Sequence, residues 1–312
     1  MEVTASRRKV YLAFITLAFL AGPIDQSVSS GFLIGSPLAR FHSLALASLL
    51  AAVLLVIVAA IRRERIPNRA EWTALLVLML PQWCFVPFGP NSSSFSALHL
   101  GWGTALLLSL AAPLWLGLLG ATNQIEVEVP RSTIAAAIIG IGAICLTLPL
   151  AATAVGWGQV PALLLNALLG VAIVASWTFA RPRLSDSPLV STTAAYLAVS
   201  SLGYLAFAAI YERDAWGGLN FRISWATLLP YVAVLIISWC LWFWLLQRLS
   251  LGAFSMRMMA TCAATLLLGL LSFGVGQWRM DAAFVISCIA VAVALRVTPA
   301  EEQPVSLGLR IS

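Results

Sequence analysis

The chain has 312 residues, of which 61% are hydrophobic and 10% are charged, and its formal net charge is +6. Soluble domains carry about 25% charged residues, so this composition excludes a protein that covers its whole surface with polar side chains. The basic residues lie in short stretches between apolar runs rather than on one amphipathic face, which argues against a nucleic-acid partner and for membrane topology. We therefore expect a multi-pass integral membrane protein.

Apolar runs long enough to cross a bilayer follow one another along most of the chain. A helix needs about 20 mainly apolar residues to cross a hydrocarbon core of roughly 30 Å. The sequence predicts ten such helices, at residues 10–33, 36–61, 72–89, 95–120, 132–150, 157–180, 188–211, 224–247, 250–275 and 281–297. No small-residue cleavage site follows the basic residues 7–9, so the first run is interpreted as a membrane helix and not as a signal peptide.

The distribution of basic residues predicts the orientation of the helices. With the N-terminus on the inner side, the inner segments hold most of the 18 basic residues, whereas the outer segments hold Arg213, Arg222 and Arg279. Inner loops are enriched in lysine and arginine, so this asymmetry favours ten spans with both termini in the cytoplasm. The expected location is the cell (inner) membrane.

The ten predicted helices divide into two sets of five with a similar order of lengths and loops. Residues 1–150 form the first five-helix repeat, residues 151–298 the second, and residues 299–312 a cytoplasmic tail. Because five is odd, the second repeat is inverted relative to the first, as in many secondary transporters. The expected fold class is thus all-α integral membrane, with ten transmembrane helices in two inverted five-helix repeats.

Several short motifs are similar to those of one transporter family. Residues 156–158 (GWG), residues 162–164 (ALL) and Trp177 resemble the glycine and "ALlaallWA" pattern that opens its second repeat. Residues 244–250 (WLLQRLS) resemble its penultimate hairpin, and residues 36–41 (SPLARF) resemble the start of its second helix. In these motifs the chain resembles the drug/metabolite transporter superfamily, EamA type.

That resemblance implies a secondary transporter, and an exporter in particular, that moves a small polar or amphipathic metabolite such as an amino acid by alternating access. The chain departs from the family at residues 21–23, where a Trp-Gly is replaced, at residues 261–262, where a Glu-Pro is replaced, and at residues 276–277. These departures leave an alternative open. It is a non-transporting membrane subunit or lipid-handling protein with the same fold, bound to a membrane partner.

The sequence lacks the motifs that would make the chain an enzyme or an ATP-driven pump. It has no P-loop, no HExxH, no GxSxG and no acidic metal cluster, and its five cysteines are scattered singly. We therefore expect no enzymatic activity, no cofactor and no metal. The expected partners are a small-molecule metabolite, membrane lipid, and a membrane-protein partner or a second copy of the chain.

Three polar residues are expected near the outer face of the membrane. At about 1.5 Å of rise per residue, Asp25 lies roughly 22 Å from the inner face, and Arg40 and His42 lie roughly 6 to 9 Å below the outer face. One interpretation is a substrate-binding cluster, in which the carboxylate takes a cation or a proton and the arginine takes a carboxylate. The other is a structural Asp25–Arg40 ion pair with a hydrogen-bonded His42 packed beside it.

Four further residues complete the set of predicted substrate-binding side chains. Arg257 lies roughly 10 Å from the inner face, where it either extends to the cytoplasm or binds an anionic group from inside. Tyr204, Tyr231 and Trp239 lie within predicted spans. They either line a central cavity or pack between helices.

Overall fold

The structure is a computed structural model that describes residues 9, 10, 12, 13, 16, 17, 20, 40–88, 115, 116, 119, 159–213, 225–255 and 258. Five long helices account for most of these residues: α1 (Arg40–Ile61), α2 (Arg69–Phe88), α3 (Gln159–Leu184), α4 (Leu189–Tyr211) and α5 (Trp225–Arg248). Within the described ranges no residue belongs to a β-strand. The all-helical class predicted from the apolar runs is confirmed for this part of the chain.

The five helices coincide with five predicted runs, and each end differs from its predicted position by four residues or fewer. The larger differences between predicted and observed helix ends occur next to charged residues. Helix α3 extends past the predicted residue 180 to include Arg181 and Arg183 in its last turn, where cations suit the negative end of the helix dipole. Helix α2 starts earlier than predicted because Asn68 Oδ1 accepts the Glu71 backbone N–H at 3.0 Å and Glu71 accepts the Asn68 N–H at 2.6 Å, a capping box.

Helices α1, α4 and α5 are each long and apolar enough to cross a membrane. Their outward surfaces carry large apolar side chains, including Val56 at 56% exposure on α1, Leu202 at 66% on α4 and Leu229 at 50% on α5. Exposed apolar surface of this extent is unfavourable in water and suits contact with lipid. The five-helix part of the chain is therefore compatible with a membrane location.

Helix α1 ends in a Schellman motif at residues 59–64. The Glu64 N–H donates to the Ala59 carbonyl at 2.9 Å and the Arg63 N–H to the Ala60 carbonyl at 3.1 Å, while Arg63 has a φ of 54°. This left-handed conformation is usually taken by glycine, because a Cβ makes it sterically unfavourable. The turn it creates directs Glu64 and Arg65 towards the start of α4.

Helices α1 and α4 form an antiparallel pair that is in contact from one end to the other. The Ser201 hydroxyl near the middle of α4 donates to the carbonyl of Ala45, in the second turn of α1, at 2.9 Å. Both buried faces consist mainly of small residues, which allow close approach of the two backbones. The small buried residues of α1 include Ala45, Ala47, Ser48, Ala51, Ala52 and Ala59, and those of α4 include Ser191, Ala194, Ala195 and Ser201.

Larger side chains fill the space between this pair and the neighbouring helices. The Trp83 indole of α2 lies against Gly203, where an added Cβ would overlap the ring. In the half of the bundle where α3 ends and α4 begins, aromatic rings from α3, α4, α5 and the segment after α5 pack edge to face or tilted, at centroid distances of 4.3 to 6.4 Å. The members of this aromatic cluster are Trp177, Tyr196, Trp239, Trp242, Phe243 and Phe254.

Candidate functional site

A polar cluster lies at the end of the bundle where α1 begins and α4 ends. We call it the outer cluster, and it consists of Arg40 and His42 from α1, Tyr204 from α4, Glu212 directly after α4, and Tyr231 from α5. In this way three of the helices that are apolar enough to span a membrane each contribute polar side chains to one end. Ionisable groups inside membrane helices are costly and commonly mark functional sites.

Glu212 is the centre of the hydrogen bonding in the outer cluster. Its Oε1 accepts the Phe41 backbone N–H at 2.8 Å, and its Oε2 accepts the His42 backbone N–H at 3.1 Å. His42 Nδ1 lies 2.7 Å from the same Oε2, and the two side chains are 7% and 12% exposed. A carboxylate only accepts hydrogen bonds, so an ionised Glu212 requires the proton of His42 on Nδ1.

These contacts place a carboxylate on the N-terminus of α1. The first N–H groups of a helix have no partner within the helix, and the helix dipole gives this end a partial positive charge. Glu212 supplies both the hydrogen-bond acceptors and the negative charge. The ring of Phe41 also packs 5.7 Å from Phe207 and 6.0 Å from Tyr211. The end of α4 is therefore joined closely to the start of α1.

Arg40 extends into the bundle beside this junction. Its guanidinium is half-buried and interacts electrostatically with Tyr204, Tyr231 and Glu212. Tyr204 lies eight residues before Glu212, which puts it roughly 12 Å deeper along α4. Among the described residues Nε of Arg40 is buried and has no hydrogen-bond partner. The guanidinium is thus a half-buried cation at the end of the bundle where α1 begins, and two tyrosines and Glu212 contribute to its electrostatic environment.

A second polar cluster, the inner cluster, lies at the opposite end of the same helices. Glu71 accepts two hydrogen bonds from the Arg65 guanidinium at 2.5 and 2.6 Å, and one from the Ser187 hydroxyl at 2.5 Å. Arg65, Ser187 and the Asn68 N–H together lower the pKa of Glu71 to about 2, although burial of its side chain opposes this shift. Gln247 Nε2 donates to the Leu184 and Ser187 carbonyls at 2.9 and 3.0 Å. The inner cluster thereby connects the turns after α1 and α3 with the end of α5.

The inner cluster also caps the start of α4. The Glu64 carboxylate accepts the Ser191 backbone N–H at 2.9 Å, and the Arg65 carbonyl accepts the Ser191 hydroxyl at 2.9 Å. Glu64 follows the end of α1 and caps α4, just as Glu212 follows the end of α4 and caps α1. The two antiparallel helices therefore cap each other reciprocally.

The structure brings together four of the seven residues predicted to bind substrate. Arg40, His42, Tyr204 and Tyr231 belong to the outer cluster. Trp239 is separate from it and packs in the aromatic cluster, 4.3 Å from the Tyr196 ring and 5.5 Å from the Trp242 ring. For Trp239 this arrangement favours the packing interpretation over the cavity interpretation.

Asp25 and Arg257 lie outside the described residues, so the proposed Asp25–Arg40 pair and the inner role of Arg257 stay predictions. Sequence reasoning missed Glu212, the residue that makes most of the hydrogen bonds in the outer cluster. Its position in the sequence could have identified it as a member of the cluster, because Glu212 directly follows the predicted span 188–211. The predicted topology puts this end of the span on the same outer side as Arg40 and His42. It was overlooked because a carboxylate next to Arg213 resembles an ordinary solvated loop charge.

Comparison with known proteins adds information about the fold. No family model and no curated protein matches the chain. The solved structures to which it is similar include a crystal structure of a protein, at 17% sequence identity with a TM-score of 0.61. The similarity covers 91% of this chain and 95% of the other. At that identity it concerns the fold alone, and it extends over nearly the full length of both chains.

Proposed function

We propose that the chain is a secondary transporter that moves a small polar or amphipathic metabolite across the cell (inner) membrane by alternating access. In this proposal ten transmembrane helices form two inverted five-helix repeats, residues 1–150 and 151–298, with both termini in the cytoplasm. The resemblance to the EamA type of drug/metabolite transporter implies the same class. The proposal requires no enzymatic activity, cofactor or metal.

The outer cluster is the observation that carries the proposal. A half-buried arginine, two tyrosines and a histidine–glutamate pair meet between helices whose outward surfaces are apolar. Stability alone does not favour this arrangement, because well-packed apolar residues are generally at least as stabilising as buried ionic groups. A polar site at one end of a helical bundle suits recognition of a polar solute on its way across the membrane.

The reciprocal capping supports the inverted repeat. Helix α1 corresponds to the second predicted helix of the first repeat, and α4 to the second predicted helix of the second repeat. The helix-capping carboxylates, Glu64 and Glu212, occupy equivalent places just after these helices. A two-fold axis in the membrane plane would exchange the two helices and also their caps, as inverted-repeat transporters require.

The test is a flux assay on the purified full-length protein in proteoliposomes. We expect saturable movement of at least one member of a panel of labelled amino acids, organic acids and amines, above the rate in protein-free vesicles. Arg40→Gln should reduce this flux about tenfold or more, because charged binding-site residues commonly contribute 2 kcal/mol or more. Arg183→Gln, at an exposed residue of the inner end of α3, should leave the flux unchanged.

Flat fluxes for the whole panel from folded protein would contradict the proposal. In that case, co-purification of a stable membrane partner, or of a lipid held between the helices, would favour the non-transporting subunit or lipid-handling protein. No described contact specifically favours that alternative.

A further inference from the structure

We propose that the turn after α1 binds anionic phospholipids at the cytoplasmic surface of the membrane. This turn, which we call the basic turn, comprises residues 61–69 and ends at the first residue of α2. The inference goes beyond the proposed transport function, because it does not depend on what the protein transports. It is carried by the charges of the basic turn, by the exposed apolar residues beside them, and by the backbone conformation of Arg63.

The basic turn has an excess of positive charge. Four arginines and one glutamate give its nine residues a formal net charge of +3. The Glu64 carboxylate is engaged elsewhere, since it accepts the Ser191 backbone N–H of α4 at 2.9 Å. Glu71, the next acidic residue along the chain, pairs with Arg65. The other three arginines of the turn are exposed and belong to no ion pair among the described residues: Arg62, Arg63 and Arg69.

An exposed apolar surface of α1 leads directly to these arginines. Val53, Ile57 and Ile61 follow one another at intervals of four residues on one face of the helix, with exposed fractions of 47%, 52% and 76%. Ile66, within the basic turn, is 80% exposed. Apolar side chains next to arginines suit the boundary of a bilayer, where acyl chains meet headgroups. A free phosphate would contact only the arginines, whereas a phospholipid also covers the isoleucines.

The backbone conformation of Arg63 indicates that its charge has a role. With a φ of 54° the residue lies in the left-handed region, which is sterically unfavourable for a residue with a Cβ. Glycine would avoid this cost, and in the described part of the chain the exposed Arg63 side chain forms no ion pair that offsets it. Backbone strain of this kind is found preferentially at functional sites. The cation at this position therefore contributes to binding rather than to folding.

An anionic phospholipid fits the basic turn chemically. Guanidinium groups form paired hydrogen bonds with phosphate oxygens. In phosphatidylglycerol the headgroup keeps the negative charge of its phosphodiester, whereas in phosphatidylcholine an ammonium group offsets that charge. The cytoplasmic leaflet has a negative surface potential, which attracts arginines next to a membrane helix. In the proposed topology the basic turn lies on this side.

The experiment titrates the purified full-length protein with lipid in a mild non-ionic detergent and follows the Tm. The probes are dioctanoyl phosphatidylglycerol, dioctanoyl phosphatidylcholine, and glycerol phosphate, which has the charge without the acyl chains. We expect phosphatidylglycerol to raise the Tm in a saturable manner and the other two probes to raise it much less, since only phosphatidylglycerol combines net charge with acyl chains. High salt should weaken the effect by screening the charges.

Two double variants locate the binding surface. Arg62→Gln with Arg69→Gln removes two exposed charges of the basic turn and should weaken phosphatidylglycerol binding about tenfold or more. Arg183→Gln with Arg248→Gln removes two exposed charges at the ends of α3 and α5, which lie at the same end of the bundle. This matched control should bind phosphatidylglycerol nearly as the wild type does.

The substitution Arg63→Gly separates binding from folding. Glycine takes the left-handed conformation without steric cost, so the lipid-free variant should have a higher Tm than the wild type. The same substitution removes one charge and should weaken phosphatidylglycerol binding about fivefold. A purely structural role of Arg63 would not change stability and lipid affinity in opposite directions.

Four outcomes overturn the inference: equal stabilisation by phosphatidylglycerol and phosphatidylcholine, equal stabilisation by phosphatidylglycerol and glycerol phosphate, equal weakening in both double variants, or unchanged binding in Arg63→Gly. Equal weakening in both double variants would mean that the general positive charge of this end, and not the basic turn, attracts the lipid. The comparison of the three probes uses wild-type protein, so it remains decisive if a variant does not fold.

Lipid binding and transport are measured separately. If phosphatidylglycerol binds at the basic turn but no metabolite crosses proteoliposomes, the inference stands and the proposed function falls. If metabolites cross but lipid binding does not depend on the basic turn, the proposed function stands and the inference falls.

Discussion

At the scale of single residues, charge and backbone conformation decide where helices end and what lies beyond them. Arg63 takes a conformation that glycine prefers, and this sharp turn brings Glu64 to the start of α4. Glu71 is almost fully buried, and its hydrogen bonds come from three other residues of two different turns. Such residues stabilise the end of the bundle that holds the inner cluster through backbone conformation and hydrogen bonds. The contribution of each residue to stability can be tested by one substitution.

Arg63→Gly should stabilise the protein by about 0.5–1 kcal/mol, because glycine takes a positive φ without steric cost. The measurement is denaturant or thermal unfolding in detergent. Arg62→Gly is the matched control, since it removes the same charge one residue earlier, where no positive φ is found. We expect this control to be neutral or destabilising. Equal effects of both substitutions would show that the lost charge, and not the backbone, is responsible.

The stability of the inner cluster should depend on the ionisation of Glu71. Its pKa is about 2 in the folded protein against an ordinary value of 4.5. A lowered folded-state pKa gives stability that is fully present above pH 4.5 and is lost as the pH falls towards 2. Glu71→Gln should cost on the order of 1–3 kcal/mol at pH 7.

The difference in stability between the wild type and Glu71→Gln should shrink as the pH falls from 4.5 to 2, as measured by unfolding at a series of pH values. Asp186→Asn, at an exposed carboxylate in the neighbouring turn, is the control and should follow the wild type. A difference that stays constant over this pH range would refute the assignment.

At the scale of elements, the sequence predicted the helices well and their contacts less well. Long apolar runs are an adequate signal for a helix, so all five described helices appeared at their predicted places. The predicted end at residue 180 excludes Arg181 and Arg183, although both lie in the last turn of α3. Contacts between helices depend on which faces meet, and a series of nearly uniformly apolar helices carries little information about that.

Glu212→Gln should loosen the start of α1, because the amide lacks the charge that suits the helix N-terminus and the His42 ring. A helix cap contributes about 1 kcal/mol, so the Phe41 and His42 amides should exchange roughly fivefold faster with deuterated solvent. Hydrogen exchange followed by mass spectrometry of peptides covering residues 40–45 would measure this change. Arg213→Gln, at the adjacent exposed residue, should leave the exchange rates unchanged. Unaltered exchange in Glu212→Gln would contradict the capping role.

At the scale of the whole molecule, the outer cluster illustrates what the sequence could and could not supply. Arg40 and His42 lie two residues apart on α1, so the regular rise of a helix puts them near one level, whereas their depth in a membrane and the common level with Asp25 stay predictions. Depth counting could not place Tyr204 and Tyr231 beside Arg40, since that requires knowing which helices are neighbours. It also gave no reason to separate Trp239, which packs among aromatic rings on the inner half of the bundle.

The predicted topology has a direct test. In a background without the five native cysteines, a cysteine at residue 213 should react with a membrane-impermeant maleimide added outside intact cells. A cysteine at residue 63 should react only after the membrane is opened, because the turn after α1 lies on the inner side in the proposed arrangement. Both positions are exposed in the structure, so burial would not explain a lack of labelling. Equal reactivity at both positions in intact cells would contradict the alternating topology.

The reciprocal caps of α1 and α4 have a consequence for how the chain can be divided. Glu212 caps a helix of the first predicted repeat, and Glu64 caps a helix of the second. Each half made alone would leave one buried helix start without its carboxylate, and a small-residue face without its counterpart. We therefore expect the halves 1–150 and 151–312 to accumulate poorly when expressed singly and to reassemble when expressed together. The two parts of this protein complete each other's helices.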